Sequence, residues 1–291
     1  MCGRYAASAH PGELIEAYDV ELDATAERSA SVLKNAQQPP PGEPDYNMAP
    51  SKQAPVVLTR RPRGGSGEDE QVENSGQGAA TAPVRQLRLL TWGLVPSWAK
   101  DPSIGSRMIN ARQETLLDKP AFSRSALRRR CLVPISGWYE WQVSPVATDA
   151  RGKPRKQPFY VTRADDVPLA LAGVYEFWRD PTTSEDDPLG WVVSYAVVTT
   201  SAEPGLDRIH DRQPLALEPA QWEDWLDPGL TEAGEVRSII DAAHVPGRFQ
   251  AWPVGRSVGS PRSSGPQLLE PVPTEELVGV VDPVTGEVLG G

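Results

Sequence analysis

The sequence predicts an α+β fold: a single domain on a mostly antiparallel, barrel-like β-sheet core, flanked by helices and interrupted by flexible loop insertions. Three observations lead there. Short segments rich in branched and aromatic residues outnumber segments with helical spacing, the two kinds do not alternate regularly, and no boundary separates two self-sufficient cores. The length of 291 residues fits one large domain. In chain order, Pro11–Tyr18 has helical spacing with Pro11 suited to a first turn. Leu87–Trp92 reads as a strand, and Lys119–Arg130 as a helix. Cys131–Ile135, Trp138–Val143, Phe159–Thr162, Leu169–Tyr175 and Ser194–Thr200 are short apolar runs bounded by Pro or Gly, and read as strands. Glu218–Leu226 and Gly234–Ala243 return to helical spacing. Breaks are expected at Ser144–Gln157 and Asp180–Leu189.

Two longer stretches lack apolar periodicity and are expected to be flexible surface insertions, because neither can bury enough apolar surface to offset the entropy of ordering. One covers 21–45 and ends in Gln37-Gln38-Pro39-Pro40-Pro41-Gly42-Glu43-Pro44; the other covers 61–83 and contains Gly64-Gly65-Ser66-Gly67-Glu68-Asp69-Glu70. The domain is therefore placed at 2–272, with a C-terminal tail at 273–291 that carries nothing catalytic in character.

Composition excludes several classes. No apolar run approaches the roughly 18 residues of a membrane span, and no apolar h-region opens the chain. Two cysteines cannot build a disulfide framework, and no Cys/His cluster has zinc spacing. The expectation is a cytoplasmic, monomeric globular protein with no metal and no cofactor. The net charge of −10 argues against a wholly basic nucleic-acid footprint. The charge is uneven, however: between Lys100 and Arg130 eight basic residues face three acidic ones, and Arg151, Lys153, Arg155 and Lys156 form a second basic cluster. A local basic face on an acidic protein is compatible with this pattern, as are simple solvated faces.

Chemistry gathers at Met1-Cys2-Gly3-Arg4-Tyr5. Removal of an initiator Met before a small residue would leave Cys2 with a thiol and an α-amine on one skeleton. An α-amine titrates near 7.7–8.0, so a useful fraction is nucleophilic at neutral pH, and a thiol becomes strongly nucleophilic once deprotonated. Two reactions suit the pair. The thiolate can attack a carbonyl with the amine as base, or the amine can form a Schiff base with an aldehyde onto which the sulfur closes as a thiazolidine. Cys131 opens an apolar run and reads as buried and inert. Asn110 and Arg112 lie two apart and share a face on an extended segment. Glu140 sits among Trp138, Tyr139 and Trp141, where burial would raise its pKa and suit it to general acid catalysis. His210 follows the loop 201–208. Each of these, taken singly, also has a purely structural reading.

Together the motifs resemble one family. Met1–Tyr5, Tyr46-Asn47-Met48-Ala49-Pro50, Trp92-Gly93-Leu94-Val95-Pro96-Ser97-Trp98-Ala99, Ile109–Thr115, Gly137–Trp141 and His210–Pro214 occur in the order and spacing of the SRAP (SOS response-associated peptidase) family. The resemblance runs from Cys2 to about Val272, outside the two insertions. It implies a DNA-damage function in DNA repair: binding of single-stranded DNA and capture of abasic sites as a covalent thiazolidine DNA–protein crosslink, with nucleoid association when DNA is bound. In that reading Cys2 is the crosslinking nucleophile and Asn110 positions the amine or the sugar. Glu140 serves as acid and base, and His210 assists proton transfer or holds the opened sugar hydroxyl. Arg4 and Arg112 would contact phosphates, which position a strand without reading its sequence. Pro50, Trp92, Trp98 and Trp141 would wedge or stack against bases. The sequence departs from the family pattern at Glu203, at Gln213 and over Gly255–Ser260. Other readings stay open: an N-terminal-nucleophile cysteine hydrolase (an autopeptidase that removes Met1, or a glutamine amidohydrolase), and a non-catalytic DNA-binding module. A lyase-type activity is a further implication of Schiff-base chemistry.

Overall fold

Alternate residues of the long apolar segments point to opposite sides of a strand, and here both sides are apolar, so each strand demands cover on two faces. The computed structural model, which describes residues 2–27, 29–62, 82–165, 167–187 and 189–290, meets that demand with two sheets and a helical outer layer. The strands are β1 (Arg4–Ala7), β2 (Leu22–Asp23), β3 (Asp45–Met48), β4 (Gln53–Arg60), β5 (Val84–Trp92), β6 (Asn110–Arg112), β7 (Arg130–Ile135) and β8 (Gly137–Thr148). They continue as β9 (Pro154–Arg163), β10 (Leu169–Arg179), β11 (Trp191–Ser201), β12 (Arg212–Pro214), β13 (Ala216–Leu217), β14 (Phe249–Pro253), β15 (Val280–Val281) and β16 (Val288–Leu289). The helices are α1 (Pro11–Ala17), α2 (Ser123–Arg128), α3 (Trp222–Leu226) and α4 (Ala233–Ala242).

β5, β4, β7, β10 and β11 pair antiparallel in that order. A short parallel contact, Ser194 opposite Thr91 and Tyr195 opposite Trp92, joins β11 back to β5 and closes a five-stranded ring. A second antiparallel sheet runs β14-β9-β8-β1-β3. Alternation then sorts the core. Val56, Leu58, Cys131, Val133, Leu171, Tyr195 and Val197 pack with Tyr5, Trp138, Phe159 and Val161 of the second sheet. Their neighbours Val57, Leu132, Ala170, Ala172, Ala196 and Val198 face outward onto Leu14, Ala126, Trp222, Trp225, Val236 and Ile240, contributed by the helices. The expected α+β, single-domain, barrel-like architecture is the observed one.

Several expectations need correction. The helix expected over Lys119–Arg130 is shorter because Arg130 belongs to β7; its guanidinium turns back to the carbonyls of Ala126 and Leu127, both at 3.0 Å, and so caps α2. Strand β8 runs on through part of the break expected at Ser144–Gln157, and the chain reverses only at Asp149, whose Oδ1 accepts from the amides of Arg151 and Lys153. Pro55 hides β4 in the sequence. It is tolerated because pairing with β7 is confined to Val57 and Leu58. The 21–45 segment is not a free loop. β2 pairs with β5, Ala30 N donates to Trp191 O at 2.8 Å, and Gln37 exchanges two hydrogen bonds with the Gln53 backbone. Side-chain and backbone hydrogen bonds supply what apolar periodicity does not. Of the second insertion, 63–81 lies outside the described residues. The tail also joins the domain: Leu277 and Val280 enter the main core, and Val281 N donates to Gln142 Oε1 at 2.7 Å.

Deep in that core the Tyr5 and Tyr195 hydroxyls meet at 2.5 Å, both fully buried. Replacing one by Phe strands the other, so Tyr5→Phe and Tyr195→Phe should each cost about 1–3 kcal/mol, and the double variant should recover part of that loss. Urea unfolding of the four proteins measures it; strictly additive losses would show that the pair does not act as one unit.

Candidate functional site

Four elements converge where the chain begins. β1 leads out of Cys2 and pairs with β8, Arg4 opposite Tyr139 and Tyr5 opposite Trp138. β6 lies parallel along β11 with Asn110 opposite Val197, and Asn110 Nδ2 donates to Cys2 O at 2.8 Å. Its Oδ1 is buried and has no hydrogen-bond partner among the described residues. Glu140 comes from the centre of β8, and His210 follows the 3-10 turn Leu206–Arg208. The positive charge at the chain start acts on both: it favours the ionised form of the Glu140 carboxyl and opposes protonation of the His210 ring.

Electrostatics follow from burial. Cys2 is fully buried, its thiol donates weakly to Arg4 O at 3.9 Å, and burial, with the Glu140 charge second, pushes the thiol well above its usual range. Glu140 is pushed up to about 7, first by burial and against the pull of the positive charge at the chain start. It is therefore divided between acid and base forms near neutrality, as proton transfer in both directions requires. Its surroundings differ from the sequence expectation. Alternation along β8 puts Trp138 with the main core, whereas Tyr139 and Trp141 pack on the other side with Tyr160 and Trp252. Glu140 thus shares a side with Trp138 and not with the other two aromatics. The His210 pKa is lowered by burial and the same charge. Nδ1 lies 3.0 Å from the Arg212 backbone nitrogen, whose N–H it accepts when unprotonated. Asp211 Oδ1 at 2.8 Å from the same atom stands ready as counter-ion to the protonated ring.

The residues expected to touch DNA divide. Arg112 is exposed and Trp98 is 59% exposed. Pro50 and Trp141 are half-buried. Arg4 is held by one nitrogen, Nη1, to Asn47 Oδ1 at 2.8 Å and Val258 O at 3.1 Å. Trp92 is fully buried against Tyr5, ring centroids 4.9 Å apart, with Nε1 donating to Ile109 O. No face of that ring is open to a base, so the stacking role assigned to Trp92 from the sequence does not fit its position. Sequence reading missed two supports inside its own motifs. Asn47 holds Arg4 and, through Nδ2, the carbonyls of Ser260 and Ser263. Glu114 takes a two-pronged bond from Arg212 at 2.6 and 3.0 Å, which ties the His210 segment to the Asn110 segment. The departing residues account for each other: Gln213 Oε1 accepts Glu203 N at 2.9 Å, and Glu203 Oε1 accepts Gly247 N. Among the described residues no group of three or more His, Cys, Asp or Glu is placed to hold a metal ion. None of their helices is long and apolar enough to cross a membrane.

The family model described as SOS response associated peptidase (SRAP) matches residues 1–261. The chain belongs to the SRAP family. Among SRAP relatives, "Abasic site processing protein YoqW" of Bacillus subtilis is 30% identical over 93% of this chain and 99% of its own length. "Abasic site processing protein YedK" of Escherichia coli is 31% identical over 62% of this chain and 73% of its own. A solved structure from Bacteroides thetaiotaomicron superposes with a TM-score of 0.67, covering 93% of this chain and all of that one at 21% identity, and shows the same fold.

The raised Glu140 pKa has a signed consequence. In the unfolded chain the carboxyl ionises near 4.5 and in the folded protein near 7, so the folded form binds more protons between those values and stability falls as pH rises through them. Glu140→Gln removes that slope. Its stability advantage over wild type should open between pH 4.5 and 7 and level off above, on the order of 3 kcal/mol. Urea unfolding of both proteins across pH 4.5–8 checks this, and a difference independent of pH contradicts it.

Proposed function

We propose that this protein captures abasic sites in single-stranded DNA by forming a thiazolidine through Cys2 after excision of Met1. The observation that carries the reading is the convergence of Asn110, Glu140 and His210 on the start of the chain, where the Cys2 sulfur is buried and burial raises its pKa. That raised pKa argues for attack by the amine first and the sulfur second. A thiolate-first hydrolase needs the opposite order, so the amidohydrolase reading is disfavoured. The names of the curated relatives, abasic site processing proteins, point the same way.

The chemistry follows from the geometry. Excision of Met1 transfers the amine to the Cys2 nitrogen, beside a carbonyl already held by Asn110. An abasic sugar is mostly a closed hemiacetal, and opening it needs a proton on the ring oxygen. Protonated Glu140 supplies that proton, and its carboxylate takes up the one released with the aldehyde. The neutral Cys2 amine adds to the aldehyde carbon to give a carbinolamine. Glu140 or His210 then protonates the departing hydroxyl, and water leaves as the imine forms. The thiol adds across the C=N bond, sulfur to carbon and proton to nitrogen, and closes the five-membered ring with loss of one water overall and no redox change. Lyase and self-peptidase activities are the branches open to the imine and to the thiol.

Intact mass spectrometry should find protein lacking Met1 and, after incubation with an abasic oligonucleotide, an adduct of the summed masses less one water. Cys2→Ala should abolish the heat-resistant band on a denaturing gel; an undiminished adduct would exclude the thiazolidine. Glu140→Gln should slow single-turnover crosslinking by about 10²–10⁴-fold while affinity for intact strands stays near wild type.

Binding without chemistry is probed best at Arg112, which is exposed, whereas truncating Arg4 also releases Asn47 and the segment around Val258. Arg112→Ala should weaken binding to single strands of any sequence and reduce the salt slope by about 0.7, the value of one phosphate contact. Fluorescence anisotropy across a salt series reads it, and an unchanged slope would remove Arg112 from the strand's path.

A further inference from the structure

A cavity of about 270 Å3 opens on the outer side of β5, lined by Val32, Ser51, Thr91, Gly93, Asp101 and Ser106 among others. Leu90 and Trp92 point into the main core, so alternation turns Thr91 the other way. Thr91 is only 1% exposed, and its hydroxyl has no hydrogen-bond partner among the described residues. A buried polar group left unmatched is costly and asks for an explanation. The backbone at the rim is also unusual. Ser51, directly after Pro50, holds a left-handed φ of 73°, and strain of this kind collects at ligand sites. Gly93 crosses Gly105 so closely that a Cβ would meet the Gly105 carbonyl oxygen at 2.5 Å, which leaves part of the wall as bare backbone.

Charge says what the cavity would take. Among the described lining residues Asp101 is the one ionisable side chain, and hydrogen bonds from Ser103 hold its carboxyl below the usual range, hence ionised at neutral pH. A cavity with an anion and no cation rejects phosphate. It suits an uncharged, flat group that presents N–H donors. Position supplies the rest. The cavity lies between Pro50 and the segment carrying exposed Trp98, and Trp92 is the partition between it and the site: its ring packs on Tyr5 and its Nε1 binds the carbonyl beside Asn110.

We propose that this cavity receives the base of a nucleotide next to the abasic one, and that it favours bases carrying an exocyclic amine over thymine. The inference rests on the abasic-DNA reading above. Cytosine N4, adenine N6 and the guanine N1/N2 edge all donate to a carboxylate, and the Thr91 hydroxyl can accept the second N–H of the same exocyclic amine. Thymine has one donor there, N3–H, and the carbonyl oxygens on either side of it would face Asp101. Val32, from the 21–45 segment, forms part of the wall, which gives that segment a role at the DNA.

The test walks one cytosine along an abasic oligothymidine and measures crosslinking efficiency at each position, with the same walk on intact oligothymidine by anisotropy. One position should gain about tenfold over thymine, the size expected of a hydrogen bond to a charged group. Asp101→Asn, whose amide can donate to thymine O4, should shift the cytosine-to-thymine ratio toward thymine. Thr91→Val, which keeps the shape, should flatten the ratio, and a ratio is insensitive to any loss of folded protein. A flat wild-type profile, or a preference that survives in both variants, overturns the pocket. Absence of any adduct overturns the abasic reading instead, and the anisotropy walk then still decides whether the cavity takes a base.

Discussion

The row of N–H and C=O groups on both edges of β11 has to be satisfied, and the way it is satisfied organises the molecule. One edge takes β5 at Ser194 and Tyr195 and then β6 at Val197–Thr199; the other takes β10 and then β12 at Thr199–Ser201. The first of these contacts closes the ring. The second lays Asn110 beside the start of the chain, and the fourth leads out of the turn that carries His210. Neither residue sits on a long element of its own, and both are placed by borrowing the edge of a strand anchored in the core. The ion pair between Glu114 and Arg212 then ties the two borrowed segments to each other.

Burial of the chain start has chemical consequences that no individual residue carries. A thiol, a carboxyl and an imidazole share a region partly withdrawn from water, and burial is the largest influence on each. Desolvation raises the carboxyl and thiol and lowers the imidazole, and the positive charge at the chain start pulls the carboxyl and thiol back down. The outcome is a protonated thiol, a carboxyl divided between its acid and base forms, and an imidazole whose protonation is disfavoured. Such a set can pass protons without first paying to discharge an ion. The acidic net charge of the whole protein is compatible with the strand binding proposed above, because Arg112 is exposed two residues from Asn110 and the local field decides.

Much of this was legible in the residues. Short runs rich in branched and aromatic residues located β5, β7, β8, β9, β10 and β11, and the motif order identified the family whose model matches 1–261. Illegible parts have specific causes. Pro55 masked β4, whose unpaired flank only the assembled sheet reveals. The 21–45 segment has no apolar rhythm, and it is ordered by polar contacts such as Gln37 to Gln53 that link residues far apart in sequence. The tail looked inert, yet Leu277 and Val280 complete the core.

By itself the sequence determined the inventory: a thiol at position 2, an amide at 110, a carboxyl at 140, an imidazole at 210, and strands with two apolar faces. Those follow from residue type and period, which are local properties. Which face each side chain takes was decided only by the tertiary structure. Trp92 and Trp141 look alike in a motif, but strand alternation and ring closure bury the first completely and leave the second half-exposed, and the same alternation separates Glu140 from Tyr139 and Trp141. Proton affinity was decided there too. It depends on how much water and how much charge the folded chain leaves around a group, and neither is written in the order of the residues.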